Sequence, residues 1–215
     1  MSAQANTARL YTVGHSDANH ADLTLALKTY AIDVVVDVRS SPYSRRNPQF
    51  NRPALHHALK NEAIRYLFLG RELGARREEP ECYVDGQARY ELIERTPAFQ
   101  EGLRRLRDGI ARFHIALLCA EEDPITCHRM VLICKCLRTE GFDIRHVRRN
   151  GAYETNEEAE RRMLNAVGLN NGFATASVIE QAYRLQGNKI AYIDDPSAAA
   201  WRELSSAPPQ ELKLL

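Results

Sequence analysis

Residues 119–130 read CAEEDPITCHRM and hold two cysteines, three carboxylates, a histidine and an arginine. An apolar run, IALLCA, leads in, and a second, MVLICKCL, leads out. This setting predicts the end of a buried strand, then a helix from about Cys127 or His128. A helix N-terminus carries about half a positive charge and several unpaired N–H groups. A thiol there, beside Arg or protonated His, drops to a pKa of about 3.5–7.5. Cys127 with His128 and Arg129 therefore reads as a thiolate nucleophile, or as a turn that holds an anion. The same residues also fit a packing role, in which Cys127 is buried, Thr126 caps and Arg129 pairs with Glu121 or Glu122. Glu121, two residues past Cys119, is the preferred acid/base candidate, with His15 as its imidazole partner.

A metal is the other chemistry these residue types allow. Cys119, Cys127 and His128 supply three ligands, and His15 or a carboxylate a fourth. The spacing departs from the close C-x-x-C knuckles of structural zinc sites. Cys134 and Cys136 lie about 200° apart around a helix, so they cannot face one ion. Cys134, one heptad from Cys127, is expected on the core face. On spacing alone no metal ligand is assigned, and the cofactor stays open.

A second group follows Asp37. The stretch SPYSRRNPQFNR carries three arginines and two aromatic residues. Arginine forks bind phosphate bidentately and aromatic rings stack on bases. Arg39 and Arg45 are the candidate anion ligands, with Arg46 less well placed. Asp37, closing an apolar run, either pairs with Arg39 or acts as a base. Ser16 joins the candidates through the GHS context of His15. His56, His57, His114 and His146 have no comparable surroundings.

These groups meet only if the elements bring them together. LYTVG (10–14), IDVVVDV (32–38), IRYLFLG (64–70), FHIALLCA (113–120) and FDIRHV (142–147) read as strands. IDVVVDV is apolar on both faces, as the middle of a parallel sheet requires. Helical patterns intervene. One has Asn19 as N-cap with Asp22 three residues on. One runs from Asn51-Pro53 to Ala63. One starts at Thr96-Pro97 and turns Phe99, Leu103, Leu106 and Ile110 inward. The helix after Cys127 ends near Gly141. TNEEAERRMLNAVG and SVIEQAYRLQG follow. Residues 70–95 form an irregular polar segment long enough to be functional. Strand–helix alternation predicts an α/β fold with a mostly parallel sheet of about five strands and flanking helices, a three-layer Rossmann-like arrangement. Residues 10–196 form a single domain, with weakly structured tails at 1–9 and 197–215. Ligands of such sheets bind outside the carboxyl ends of the strands, where every group named above falls.

Composition bounds the rest. The chain has 215 residues, with Lys plus Arg at 29 against Asp plus Glu at 28, so any anion recognition must be local. No stretch is apolar enough to cross a bilayer, no signal peptide is visible, and five cysteines without disulfide rhythm suit a reducing cytosol. The sequence lacks G-x-G-x-x-G, G-x-x-x-x-G-K-[ST] and G-x-S-x-G, which disfavours dinucleotide, P-loop and serine-hydrolase sites.

TVGHS (12–16), DVRSSPYSRRNPQF (37–50), LGRELG (69–74), LLCAEEDPITCHR (117–129) and QAYRLQGNKIAYIDD (181–195) resemble the domain of unknown function 488 family over most of residues 10–195. The resemblance implies a compact cytosolic α/β domain and no particular reaction. The residues themselves predict one composite pocket for an anionic small molecule or nucleic acid. Ser16, Asp37, Arg39, Arg45, His128 and Arg129 would bind; Glu121, His15 and Cys127 would act, by hydrolysis or group transfer. A nucleotide-binding module without catalysis and a thiol- or metal-based sensor are the competing expectations.

Overall fold

The computed structural model describes residues 8–170, 172 and 174–194. Residues 1–7 and 195–215, which carry most of the two expected tails, lie outside the described residues. Strand β1 (Arg9–Gly14) starts one residue inside the expected N-terminal tail. It is followed by β2 (Val34–Asp37), β3 (Arg65–Phe68), a small hairpin of β4 (Tyr83–Val84) and β5 (Gln87–Ala88), then β6 (Ile115–Cys119), β7 (Asp143–Val147) and β8 (Tyr153–Thr155). The main sheet has six strands in the order β3-β2-β6-β1-β7-β8. Five are parallel, and only β8 runs antiparallel, against β7.

Strand β8 is the sixth member that apolar patterning missed. It has three residues at a sheet edge, too few to show a period. Its turn does carry a signal, Asn150-Gly151 with Gly151 at φ 81°, the left-handed conformation a tight hairpin needs.

The central strands are buried on both faces because Val, Ile and Leu occupy both sides of the pleat. Leu10, Val34, Val36, Ile115 and Leu117 face one core, and Tyr11, Val13, Val35, Ala116 and Leu118 the other. Helices α1 (His20–Thr29) and α2 (Arg52–Asn61) cover the second face with Leu23, Leu27, Leu55 and Leu59. The first face is covered by α5 (Pro97–Ile110), α7 (Asn156–Ala166), α8 (Ala176–Ile190) and a helical segment after β6. The result is the three-layer Rossmann-like arrangement. No helix among the described residues is long and apolar enough to cross a membrane.

Local chemistry sets the helix starts, at Asn19 and Thr96 as expected. Asn19 accepts from Asp22 N, Thr96 accepts from Phe99 N, and Thr155 forms a full capping box with Glu158. The segment expected to be irregular contains two single-turn helices, α3 (Gly70–Leu73) and α4 (Tyr90–Ile93), and the β4–β5 hairpin. The helix after Cys127 is not uniform. Residues Arg129–Cys134 are a π-helix, continued by α6 (Lys135–Leu137) and a 3₁₀ turn that ends at left-handed Gly141. Six residues of π-helix are rare, and such segments occur frequently at functional sites.

The order of the strands makes a crevice. Strand β1 leads to α1 on one face, while its neighbour β6 leads to the π-helix on the opposite face. Adjacent strands whose connections diverge leave a gap beyond their carboxyl ends, where ligands of open α/β sheets bind.

Candidate functional site

That gap is a cavity of about 370 Å³. Its floor is made by His15 after β1, Arg39 after β2, and Cys119, Glu121 and His128 after β6. One wall carries Ser40, Ser41, Tyr43, Ser44 and Asn47. Arg76, Tyr90, Ile190 and Tyr192 close the other side. A larger groove of about 570 Å³ lies between α4 and α8; it shares Tyr90 with the cavity but gathers none of the candidate residues.

Close backbone approach builds the floor. A side chain at Gly14 would place its Cβ 1.7 Å from the Glu121 carbonyl oxygen, so only glycine lets the loop after β6 lie against the end of β1. The same holds at Gly70, where a Cβ would meet the Arg39 carbonyl at 2.0 Å. His15 N and Ser16 N then donate to the carbonyls of Cys119 and Ala120, locking the two loops together.

Arg129 fixes the loop from beneath. Its side chain is fully buried, with 0% exposure. The guanidinium donates to the carbonyls of Glu121 and Glu122, and Nε donates to Thr12 Oγ1. Arg129 was expected to bind ligand or to pair with a glutamate carboxylate. Instead it holds backbone oxygens and does not reach the cavity. On the outer side Asp123 is gripped by Arg148 and Arg162. Although partial burial works the other way, these hydrogen bonds hold the Asp123 carboxyl well below the usual carboxylate range.

Asp37 is wholly buried and grips Arg39 through both carboxylate oxygens, while Tyr66 donates to it as well. Structural pairing is therefore the geometry of Asp37, and it does not line the cavity. Arg39 Nη2 also donates to the Phe50 carbonyl, and its Nη1 lies 3.1 Å from His15 Nε2. His15 Nδ1 lies 2.9 Å from the Ser16 carbonyl. A carbonyl only accepts, so Nδ1 carries the proton and Nε2 accepts from Arg39. Burial, with the charge of Arg39 nearby, lowers the His15 pKa to about 4. His15 is thus a neutral imidazole at pH 7, stacked on Phe50.

The remaining four groups form one cluster. Glu121 is exposed as a residue, but its Oε2 turns inward and lies 3.1 Å from both Cys119 Sγ and Cys127 Sγ. His128 Nδ1 is 3.6 Å from Cys119 Sγ and 4.0 Å from Cys127 Sγ. His128 Nε2 is 3.0 Å from the Val38 carbonyl, so Nε2 carries a proton and Nδ1 faces the cluster, as a lone pair when the ring is neutral. Burial raises the Cys119 thiol and keeps it protonated. Burial raises Cys127 too, but its hydrogen bond with Cys119 and the charges of Arg129 and His128 outweigh it, and this thiol falls well below its ordinary value. Burial and the nearby Cys127 sulfur raise the Glu121 carboxyl. His128 is raised by Cys127 and Glu121 despite burial.

Of the nine residues singled out from sequence, His15, Arg39, Glu121 and His128 line the cavity. Cys127 lies just under the floor at 1% exposure, in contact with the Glu121 carboxylate but closed to a ligand, which leaves a nucleophilic Cys127 without a path to substrate. Ser16 has a left-handed φ of 45° and faces a separate small cleft. Arg45 is exposed and lies outside the cavity. Sequence reasoning missed Arg76, Tyr90 and Tyr192 as lining residues. The first two sit in the long segment after β3, whose length was the available signal.

A model of the family described as Domain of unknown function DUF488 matches residues 20–135, more than half of the chain. No curated protein matches it.

Proposed function

Because the chain belongs to the DUF488 family, whose description names no reaction, the site itself must carry the reading, and we propose that its cavity binds an anionic ligand, phosphate-bearing or derived from nucleic acid. The supporting observation is the convergence of two arginines, Arg39 and Arg76, with the hydroxyls of Ser40, Ser41, Tyr43 and Ser44 around one space. Guanidinium and hydroxyl donors suit phosphate oxygens. Tyr43, Tyr90 and Tyr192 supply flat surface for a base or another ring. The chain's near-neutral charge fits a small ligand better than extended duplex.

The ligand's reacting end would meet Cys119, Glu121 and His128 at the floor. Hydrolysis or group transfer follows from that floor, since proton-transfer and nucleophile-activating groups gather there and no nicotinamide or flavin motif is present in the sequence. Binding without chemistry is the coarser form of the same reading.

The test is thermal unfolding of the full chain with inorganic phosphate, nucleoside monophosphates and a short single-stranded oligonucleotide. A ligand at a hundred times its Kd stabilises by about 2.7 kcal/mol, which raises Tm by about 5–11 °C at this size. Arg76→Ala should abolish the shift, and Arg46→Ala, outside the cavity, should retain it. No shift across the panel overturns the reading. Recovery of the ligand unchanged after long incubation reduces it to binding alone.

A further inference from the structure

We propose that Cys119, Glu121, Cys127 and His128 hold a zinc ion at the floor of the cavity. One ligand atom from each lies within 4.8 Å of all the others. The separations are those of a coordination shell. Zinc sits about 2.3 Å from thiolate sulfur and about 2.0–2.2 Å from imidazole nitrogen or carboxylate oxygen. A tetrahedron's edge is about 1.6 times its centre-to-corner distance, so neighbouring ligands should stand about 3.3–3.8 Å apart. Four of the six distances among these atoms are 3.1, 3.1, 3.6 and 4.0 Å, and the other two are within 4.8 Å. Shifts of a few tenths of an ångström bring the four onto that figure.

The surroundings fit as well. Metal-binding histidines donate their second ring N–H to an oxygen that fixes tautomer and orientation. His128 does so, with Nε2 directed at the Val38 carbonyl and Nδ1 at the cluster. Cys127 Sγ accepts from Arg129 N, and the buried Arg129 guanidinium offsets the charge that two thiolates and a carboxylate would bring. Thiolate and imidazole donors together select zinc over magnesium or calcium. Binding releases the thiol proton of Cys119 to solvent.

Spacing argued against a metal because Cys119 and Cys127 are eight positions apart, unlike a knuckle. The fold removes the objection. Cys119 ends a strand, and a 3₁₀ turn at Pro124–Thr126 brings Cys127 back under it. Cys119, Glu121 and His128 line the cavity, so the ion would face it on that side. The inference shares its floor with the proposed anion pocket but does not depend on the ligand's identity.

The experiment is elemental analysis of full-length protein, purified under reducing conditions without chelator and then dialysed against zinc-free buffer. About one zinc per chain is expected. Cys119→Ser and His128→Ala should lose it, and Cys136→Ser should keep it. Since buried variants can misfold, the second measurement uses the wild-type chain. Cobalt added to the stripped protein should give the intense thiolate-to-metal charge-transfer bands and the visible bands of a tetrahedral centre, and zinc should displace it. Retention of no zinc together with a cobalt spectrum lacking thiolate bands overturns the site. So does a Cys119–Cys127 disulfide that forms equally fast with and without zinc. Wild-type protein that binds no zinc yet is stabilised by phosphate would sink this inference and leave the anion reading standing.

Discussion

His146 makes the pH dependence of folding calculable. It is wholly buried on β7, between Thr12 on β1 and Asn156 at the start of α7. Thr12 Oγ1 already accepts from Arg129 Nε, so its own proton points to His146 Nδ1, and Nε2–H donates to Asn156 Oδ1. Neither ring nitrogen can take a second proton without losing a partner. Burial, with the charges of Arg129 and Arg148, lowers the pKa to about 3. The folded value lies below the unfolded one, so between pH 6.5 and 3 the unfolded chain binds the extra proton. Stability is therefore full above about pH 6.5 and falls as the pH drops toward 3. At pH 5 an unfolded histidine is protonated about thirty-fold over neutral, which favours unfolding by about 2 kcal/mol, while His146 in the fold stays neutral. Urea unfolding of wild type and His146→Gln at pH 7.5 and 5.0 isolates this contribution, since the carboxylates and His15 titrate in both. The wild type should lose about 2 kcal/mol more than the variant over that interval. Equal losses would refute the assignment, as would an imidazole carbon resonance of His146 that titrates above pH 5.

Three further outcomes follow from geometry. Gly14→Ala drives a methyl group into the Glu121 carbonyl, so it should cost about 1–3 kcal/mol or more by chemical denaturation and weaken ligand binding as the loop after β6 is pushed out. Asp37→Asn leaves the buried Arg39 without its counter-charge and should destabilise by about 3–5 kcal/mol; a loss under about 1 kcal/mol would show that Arg39 is compensated otherwise. Thr155→Ala removes the capping box of α7 and should cost about 1 kcal/mol of unfolding free energy, measured by urea denaturation, with no effect on the cavity.

The centre of the sheet was legible in sequence because β2 and β6 are nearly continuous apolar runs, while β1, β3 and β7 mix polar with apolar residues and were read from shorter signals. The caps at Asn19 and Thr96 depend on neighbours within three residues, and they too could be read directly. What could not be read depends on contacts that leave no trace in residue type. Arg129 beside Glu121 and Glu122 looks like half of an ion pair; its real acceptors are their backbone carbonyls. The spacing of Cys119 and Cys127 was unlike a metal knuckle, because the intervening 3₁₀ turn that brings them together is visible only as a fold of the chain. Arg76 reaches the cavity from a segment where length alone hinted at function.

Arg129 also explains why so many polar groups lie buried under one loop. It donates to Thr12, Thr12 to His146, His146 to Asn156, and Asn156 with Tyr183 to Glu160. This line of side chains joins the loop after β6 to α7 and α8. Buried ionic networks often add little net stability over an apolar core of equal volume, since desolvating their charges offsets much of what their contacts return. An apolar core could not, however, dictate where the carbonyls of Glu121 and Glu122 lie. Those carbonyls are fixed by two N–H donors of a rigid guanidinium, and from that backbone the Glu121 carboxylate turns back over the two sulfurs. The buried network therefore acts through position: it sets the floor of the cavity to within the tolerance that binding chemistry requires.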